Sequence, residues 1–572
     1  MKTFFARVAI FLFISIAYVD SYAIIAVPAS VQPGVIGNII SESLPQPGAP
    51  QRPSSNTVLE EVKAAKVPYN PQAAKIKFRL NKIVLEGNTV FTNEELEDLY
   101  DEELGNSMSV LEFQQLVQGI TNYYRNKGYI LSRAIIPPQH VKKGVVKVKV
   151  IEGFIDDVKV QGEASRATGI LLKYGDEVEK ERPINISTLQ YYLRLANEIP
   201  GVAVKGVIEP SKKTKEAATL VLVTTEKRLD GYVTYDNYGT RYLGPHESSY
   251  NVTTNSAFRS GDALSFTYLN TYPPKELRYG DIFYETILNG KGLKLIFDAN
   301  KSLTKAGFVL TEADVIGNSV IYTLGLQYPA IRSNDSSLTY DLSLIYYNGV
   351  VTSLGFLLYD DNVRAARVGG SYYFVDKYKG SNGVIAGIEQ GLPIFGATSN
   401  PQSFFTSRFG ATGQFTKAVL VLNRDQQLFN KFSAYFQALG QYAFNPLLSY
   451  EQFTFGGSIL GRGYDPAEII GDHGLAGSAE LRMNVYPGLR LFQSAQFYGY
   501  YDIGVVWNIK EVIFTPTKLS AASAGGGVRL SFNQHISGNM MITQPLTKQV
   551  TAQQIIGEGR WPRFFFGFAA SL

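Results

Sequence analysis

From about Leu229 to Leu572 the chain alternates apolar and polar positions with a period of two. LTYDLSL sets Leu338, Tyr340, Leu342 and Leu344 on one face and Thr339, Asp341 and Ser343 on the other. QFYGYYDIGVVW sets Phe497, Tyr501, Ile503, Val505 and Trp507 against Tyr498, Tyr500 and Asp502. The last segment, RFFFGFAASL, sets Phe564, Phe566, Phe568, Ala570 and Leu572 on one face. Strands with one apolar, aromatic face and one polar face, repeated over some 340 residues, predict a closed transmembrane β-barrel with a polar interior. At roughly 20 residues per strand and connection, this region holds about 16 antiparallel strands.

Upstream the period changes. KFRLNKIVLEGNTVF alternates as a strand and turns at Glu86-Gly87-Asn88. Thr92 and Glu95 form a capping box for a helix predicted to end near Gly105. Ser109 starts a second helix, on which Leu111, Phe113, Leu116, Val117, Ile120 and Tyr124 recur at three-to-four spacing. YILSRAIIP and VVKVKVIEG follow as strands. The same order returns at once: FIDDVKVQG, a helix over Ser165 to Lys173, a helix over Ile186 to Asn197, then GVAVKGVIEP and ATLVLVTTEK. Residues 75–153 and 154–228 are therefore two copies of one small α+β domain. Their sheet edges suit addition of an extended partner strand. Tyr123, Tyr124, Tyr191 and Tyr192 read as core residues rather than partner contacts.

The first 23 residues carry Lys2 and Arg7, an apolar run from Val8 to Val19, and a small-x-small site at Ser21-Tyr22-Ala23. That is a secretory signal peptide. Residues 24–74 hold one short helix, Gly34 to Leu44, and a Pro-rich linker, LPQPGAPQRPSS. With 36 Tyr, 34 Phe, 53 Gly and only 2 Trp, the composition is that of an outer-membrane barrel. There is no cysteine, which removes disulfides and thiolate metal sites. A net charge of +4 gives no reason to expect a nucleic-acid partner. No metal-ligand spacing, phosphate loop or nucleophile motif is present, so neither a cofactor nor an enzymatic activity is expected.

The segment 456–482, GGSILGRGYDPAEIIGDHGLAGSAELR, breaks the strand pattern. Its glycines and charges exclude a helix or a plain hairpin, and a long loop of this kind inside a compact region is functional or disordered. Gly456, Gly457, Gly463, Gly471 and Gly474 are expected to give it left-handed or tightly packed backbone. Asp472 and His473 lack the context of a catalytic pair. Arg462 offers five fixed donors suited to a carboxylate, and Asp502 lies on the polar face of its strand.

These residues resemble one family, the outer-membrane transporters of bacterial two-partner secretion of the hemolysin secretion/activation (ShlB/FhaC/HecB) type. IVLEGNTVF, YYRNKGYILSRAIIPPQ and VKVKVIEG are similar to its first POTRA domain, and INISTLQYYLRLANEIPGVAVKGVIEP to its second. Asp236-Asn237-Tyr238-Gly239 resembles the element of its first barrel strand. Arg462-Gly463-Tyr464 resembles the tip of its inward-folded loop, and Tyr500-Tyr501-Asp502-Ile503-Gly504 the strand element where such tips dock. The resemblance implies a lock between loop and barrel wall made by Arg462, Gly463, Tyr464, Asp502 and Gly504, with Gly456, Gly457, Asp472 and Gly474 in support. It implies export of an unfolded exoprotein of the TpsA type, a hemolysin or adhesin. The POTRA domains would bind this client in the periplasm and the barrel would serve as conduit. Outer-membrane lipid and, during biogenesis, the barrel-assembly machinery are the further implied partners. A barrel-assembly factor of the same superfamily and a passive porin are the rival readings. The chain departs from the family in ending on Leu572 instead of Phe, and its N-terminal helix is short for a barrel plug.

Overall fold

The computed structural model describes residues 27–43, 71–163, 166–486, 493–509 and 517–572. The signal segment 1–23 and most of the linker fall outside them. Sixteen antiparallel strands close into one barrel. They are β1 (Leu229–Asp236), β2 (His246–Asn255), β3 (Ala263–Tyr272), β4 (Leu277–Ile287), β5 (Lys294–Lys305), β6 (Ile316–Arg332), β7 (Ser336–Ser353) and β8 (Phe356–Val375). The second half comprises β9 (Ser381–Gly391), β10 (Thr416–Phe429), β11 (Phe432–Ala443), β12 (His473–Val485), β13 (Ser494–Trp507), β14 (Lys518–Ser531), β15 (Ile536–Pro545) and β16 (Arg563–Ser571). The period of two sorts the side chains as expected. Tyr340, Leu342 and Leu344 of β7 stand exposed on the outer wall, whereas Thr339 is buried inside.

The seam where β16 meets β1 is short, running from Gly567↔Asp236 to Ser571↔Tyr232. Asn237 lengthens it with its side chain. Its amide donates to the Phe564 carbonyl (3.0 Å) and accepts from Phe566 N–H (2.7 Å), standing in for one more strand residue.

The two small domains have the anticipated layout with shifted boundaries. The first strand is interrupted at Leu80-Asn81, giving Lys77–Arg79 and Lys82–Glu86. The helix drawn to Gly105 stops at Glu97, followed by a 3-10 turn at Asp101–Glu103. Leu96 and Tyr100 are buried there, and the acidic residues between face water. The capping boxes at Thr92–Glu95 and Ser109–Glu112 are both formed. In the second domain the helix placed over Ser165 to Lys173 lies at Thr168–Glu179, while Ile186–Asn197 falls where the periodicity put it. Tyr124 is fully buried; Tyr123, Tyr191 and Tyr192 pack at the edges of the cores.

The sheet edges are less open than their sequence suggests. Asn197 bonds both N–H and C=O of Val204 (2.9 and 2.9 Å), and Gln139 does the same to Lys147 (2.8 and 2.7 Å). Such side-chain cover protects an edge from unwanted pairing.

Glu152 ties the first domain together. It accepts from Thr89 N–H (2.7 Å), Val90 N–H (3.0 Å), Tyr124 OH (2.9 Å) and the Thr89 hydroxyl. Burial pushes its carboxyl up, but these hydrogen bonds outweigh burial and hold it below the ordinary range. Its folded value thus lies below the unfolded one of about 4.3. The stability it confers is fully present above that unfolded value and is lost as the pH falls through the folded one. Thermal melts of residues 71–228 should therefore weaken below about pH 4.3, and Glu152→Gln should flatten that slope. An unchanged pH profile in the variant would refute the assignment.

The second domain docks on the short turns at one end of the barrel. Tyr191 OH donates to the carbonyl of Pro329 (2.5 Å). Glu198 pairs with the buried Arg332 (2.5 Å), and the Ser260 hydroxyl accepts from Ile170 N–H (3.0 Å). The longer loops lie at the opposite end, between β5 and β6, β9 and β10, β11 and β12, and β15 and β16.

The N-terminal helix α1 (Pro33–Ser43) lies inside the lumen. Val35, Ile36 and Ile40 are buried there. The Val31 carbonyl just before it accepts from Thr304 Oγ1 (3.1 Å), and Gln32 accepts from Tyr359 OH (3.3 Å). Gly34 sits on the Tyr347 ring, where a Cβ would come within 2.3 Å of the phenolic oxygen.

Candidate functional site: a loop folded into the barrel

The connection from β11 to β12 spans residues 444–472. It turns inward instead of out to solvent. Part of it forms a two-stranded hairpin, Phe453–Phe455 with Ile469–Gly471. The segment drawn at 456–482 therefore needs a correction: the loop ends at Asp472, and from His473 the chain is barrel wall in β12. The reason is that HGLAGSAELR also alternates, with Leu475 and Leu481 outward and Ser478 and Glu480 inward, so the glycines disguised a strand. Gly474 is accordingly a strand residue. A Cβ on it would strike the Phe453 ring at 2.0 Å, so its role is to let the hairpin lie on the wall.

At the tip, Arg462 is 6% exposed. Its Nε donates to Asp502 Oδ2 (2.9 Å) and its Nη2 to Asp502 Oδ1 (2.8 Å), a fork-on-carboxylate pair. Nη2 also donates to Ser478 Oγ (2.9 Å) and Nη1 to Glu480 Oε2 (2.7 Å). The guanidinium lies 3.5 Å above the Tyr500 ring, a cation–π contact. The backbone N–H groups of Gly461 and Arg462 add bonds to Asp502 Oδ2 (3.1 and 3.0 Å). These partners line up because β12 and β13 pair Ser478 with Asp502 and Glu480 with Tyr500. Alternation sends all four inward.

Gly463 N–H donates to Ser523 Oγ (3.3 Å), and a Cβ on Gly463 would meet Ser523 Cβ at 2.7 Å. Tyr464 is buried; its hydroxyl donates to the Ala522 carbonyl (2.8 Å) and accepts from Lys548 N–H (3.2 Å). Gly504 gives room to Phe455, whose ring would lie 2.3 Å from a Cβ there. Gly456 (φ 124°) and Gly457 (φ 115°) make the left-handed turn that reverses the loop behind Phe455. Asp472 closes the base. It accepts from Leu447 N–H (2.9 Å) and Ile509 N–H (2.8 Å) and pairs with the buried Arg408 of the β9–β10 loop.

Several contacts were not anticipated. Glu480 is shared by Arg462, Arg482 (2.6 Å) and Arg529 (2.7 Å). Asp465 pairs with Arg563 (2.6 Å), and Glu468 with Lys548 (2.8 Å) and Thr551 N–H (2.7 Å). Counting alternation along β12 would have found Ser478 and Glu480. No periodicity reveals the loop-to-loop pairs. At the root, Tyr450 stacks on Tyr347 with ring centroids 3.9 Å apart, so loop, wall and α1 meet at one ring.

A sixteen-strand barrel, two small α+β domains at its mouth and a loop folded into its lumen define an outer-membrane barrel protein of the POTRA-plus-barrel class. The sequence profile of the Haemolysin secretion/activation protein ShlB/FhaC/HecB family matches residues 218–530, and that of the POTRA domain, ShlB-type, matches 78–153. The chain belongs to this family. It is a two-partner secretion transporter of the outer membrane, with its POTRA domains in the periplasm, and it exports a partner exoprotein. The Heme/hemopexin transporter protein HuxB of Haemophilus influenzae (strain 86-028NP) is 23% identical over 561 residues, 92% of this chain and 96% of that protein. The Outer membrane transporter CdiB of Dickeya dadantii (strain 3937) is 21% identical over 442 residues, 72% of this chain and 74% of that one. CdiB from Escherichia coli has the same fold, with TM-score 0.72 at 17% identity over 94% of this chain and 99% of that one.

Proposed function

We propose that the Arg462–Asp502 pair locks the inward loop to the wall and that α1 shares the closure, so that the barrel rests as a stoppered conduit. The observation that carries this is that every nitrogen of the Arg462 guanidinium is hydrogen-bonded inside the lumen, to Asp502, Glu480 and Ser478, with Tyr500 stacked on its face. An ion pair buried this way specifies one conformation more than it adds net stability. The client, a TpsA-type hemolysin or adhesin, arrives unfolded in the periplasm. It is bound by the POTRA pair through added-strand contacts, and it threads the lumen once the loop or α1 yields. Folding outside the cell supplies the driving force. The chain works as a conduit, not as a catalyst. Outer-membrane lipid surrounds it, and the barrel-assembly machinery inserts it.

Deleting residues 75–228 is expected to leave a heat-modifiable barrel in the outer membrane and to abolish export. The client should then accumulate in the periplasm. Secretion at the parental level would reject the POTRA-binding step.

A further inference from the structure

The outer wall of the barrel is not uniformly filled. A groove of about 510 Å³ crosses β8–β13 on the face turned to lipid. Leu422, Phe436, Tyr501 and Ile503 stand exposed around it, and Ala438 and Ala479 form its floor. Register pairs Phe436 with Arg424 and with Ala479, so these three share the outward face. A hollow in a wall bathed in hydrocarbon forfeits dispersion contacts unless something fills it. An acyl chain is what the surroundings offer.

The groove has a polar end at Asn382 and Arg424, towards the periplasmic rim. Arg424 donates to Asp376 Oδ2 (2.6 Å) and to Asn382 Oδ1 (2.7 Å). Asp376 Oδ1 accepts from Tyr378 N–H (2.9 Å) and Gly380 N–H (3.0 Å), which folds the β8–β9 turn, 376–380, on its own side chain. Asp376 is the only carboxylate in this turn or in the neighbouring β10–β11 turn, 430–431. With both of its oxygens committed, Lys377, Lys379 and Lys431 stand exposed and, among the described residues, without an ion pair. Tyr378 is 67% exposed beside them, with the Lys377 ammonium 5.1 Å from its ring centroid.

This pairing of a basic turn with an apolar groove is local. The second POTRA domain covers the rim elsewhere, at Ser260, Lys291 and Asn334. The β6–β7 turn carries Asp335 instead, and the β14–β15 turn, Phe532 to His535, has no lysine or arginine. An ammonium cluster at the aqueous edge and a hollow below it match the two halves of one amphiphile, an anionic headgroup and its chain.

We propose that the outer wall over β8–β13 is a binding site for one anionic glycerophospholipid of the periplasmic leaflet. Its phosphate lies at Lys377 and Lys379, with Lys431 alongside, and one acyl chain lies over Ala438 and Ala479. Arg424 acts through Asp376 as a positioning residue that shapes the turn.

The test is native mass spectrometry of the full-length protein in detergent, titrated with dioleoyl phosphatidylglycerol or dioleoyl phosphatidylethanolamine. One phosphatidylglycerol should be retained at a concentration about tenfold below that needed for the zwitterionic lipid. Lys377→Gln with Lys379→Gln should remove this preference. Ala438→Phe, which fills the floor, should weaken retention with both lysines in place. Lys212→Gln with Lys215→Gln, exposed on the second POTRA domain, should leave the preference unchanged. Glycerophosphoglycerol, the same headgroup without chains, should not compete. Equal retention of the two lipids by the parent protein would mean ordinary lipid contact and would overturn the site. So would a preference that survives the lysine pair or falls equally in the control, unchanged retention in Ala438→Phe, or displacement by the chainless headgroup. The readout involves no export, so it stands apart from the POTRA deletion.

Discussion

Arg462→Ala is expected to abolish export or to leave the barrel open, and in either case to lower the temperature at which the barrel unfolds on a heat-modifiability gel. Removing one member of a buried pair orphans the other, at a cost of about 3–5 kcal/mol. Here the orphan is Asp502, which keeps only the backbone donors of residues 461 and 462. Glu480 stays paired through Arg482 and Arg529, so the loss is local to Asp502. The charge swap Arg462→Asp with Asp502→Arg should rescue only in part, because a carboxylate at 462 faces Glu480 where the guanidinium now donates at 2.7 Å. Wild-type export and wild-type melting in both single variants would defeat the lock.

Gly504→Val should give a comparable defect through packing alone. Its first added carbon would lie 2.3 Å from Phe455 Cδ2, within a ring that holds the hairpin against β13. Either the ring or the hairpin must move, and overpacking of this kind costs typically about 1–3 kcal/mol, with more where backbone is displaced. Gly477→Ala on β12 is the control, since its nearest neighbour would be 3.4 Å away. Loss of export in Gly504→Val with none in Gly477→Ala would show that the loop is held by shape as well as by charge. Equal export in both would mean that Phe455 has somewhere else to go.

Much of this was legible in the chain because barrel and repeats obey short periods. Alternation placed Asp502, Tyr500 and Tyr498 inward and Tyr501 and Ile503 outward, as they stand. Capping chemistry set Thr92 at a helix start, and the three-to-four spacing after Ser109 set the next helix. The shortened helix after Thr92 and the shifted one at Thr168–Glu179 show where local preference gave way to burial of Leu96, Tyr100 and Val178. The glycine-rich segment misled on length, because glycine in a strand reads as a loop when its purpose is to admit a neighbouring ring.

What the sequence alone determined is the list of parts: an exported chain, two α+β repeats, and about sixteen strands with a polar inner face that carries Asp502. Each follows from interactions reaching a few residues along the backbone, so each leaves a periodic or motif-sized trace. The tertiary structure decided how the lumen is filled. It set α1 on Tyr347, stacked Tyr450 on the same ring, and gave Glu480 three arginines. Those contacts join residues up to hundreds of positions apart across a closed cylinder. Their partners are chosen by barrel closure and by which side chains meet in its interior, and no local pattern records that choice.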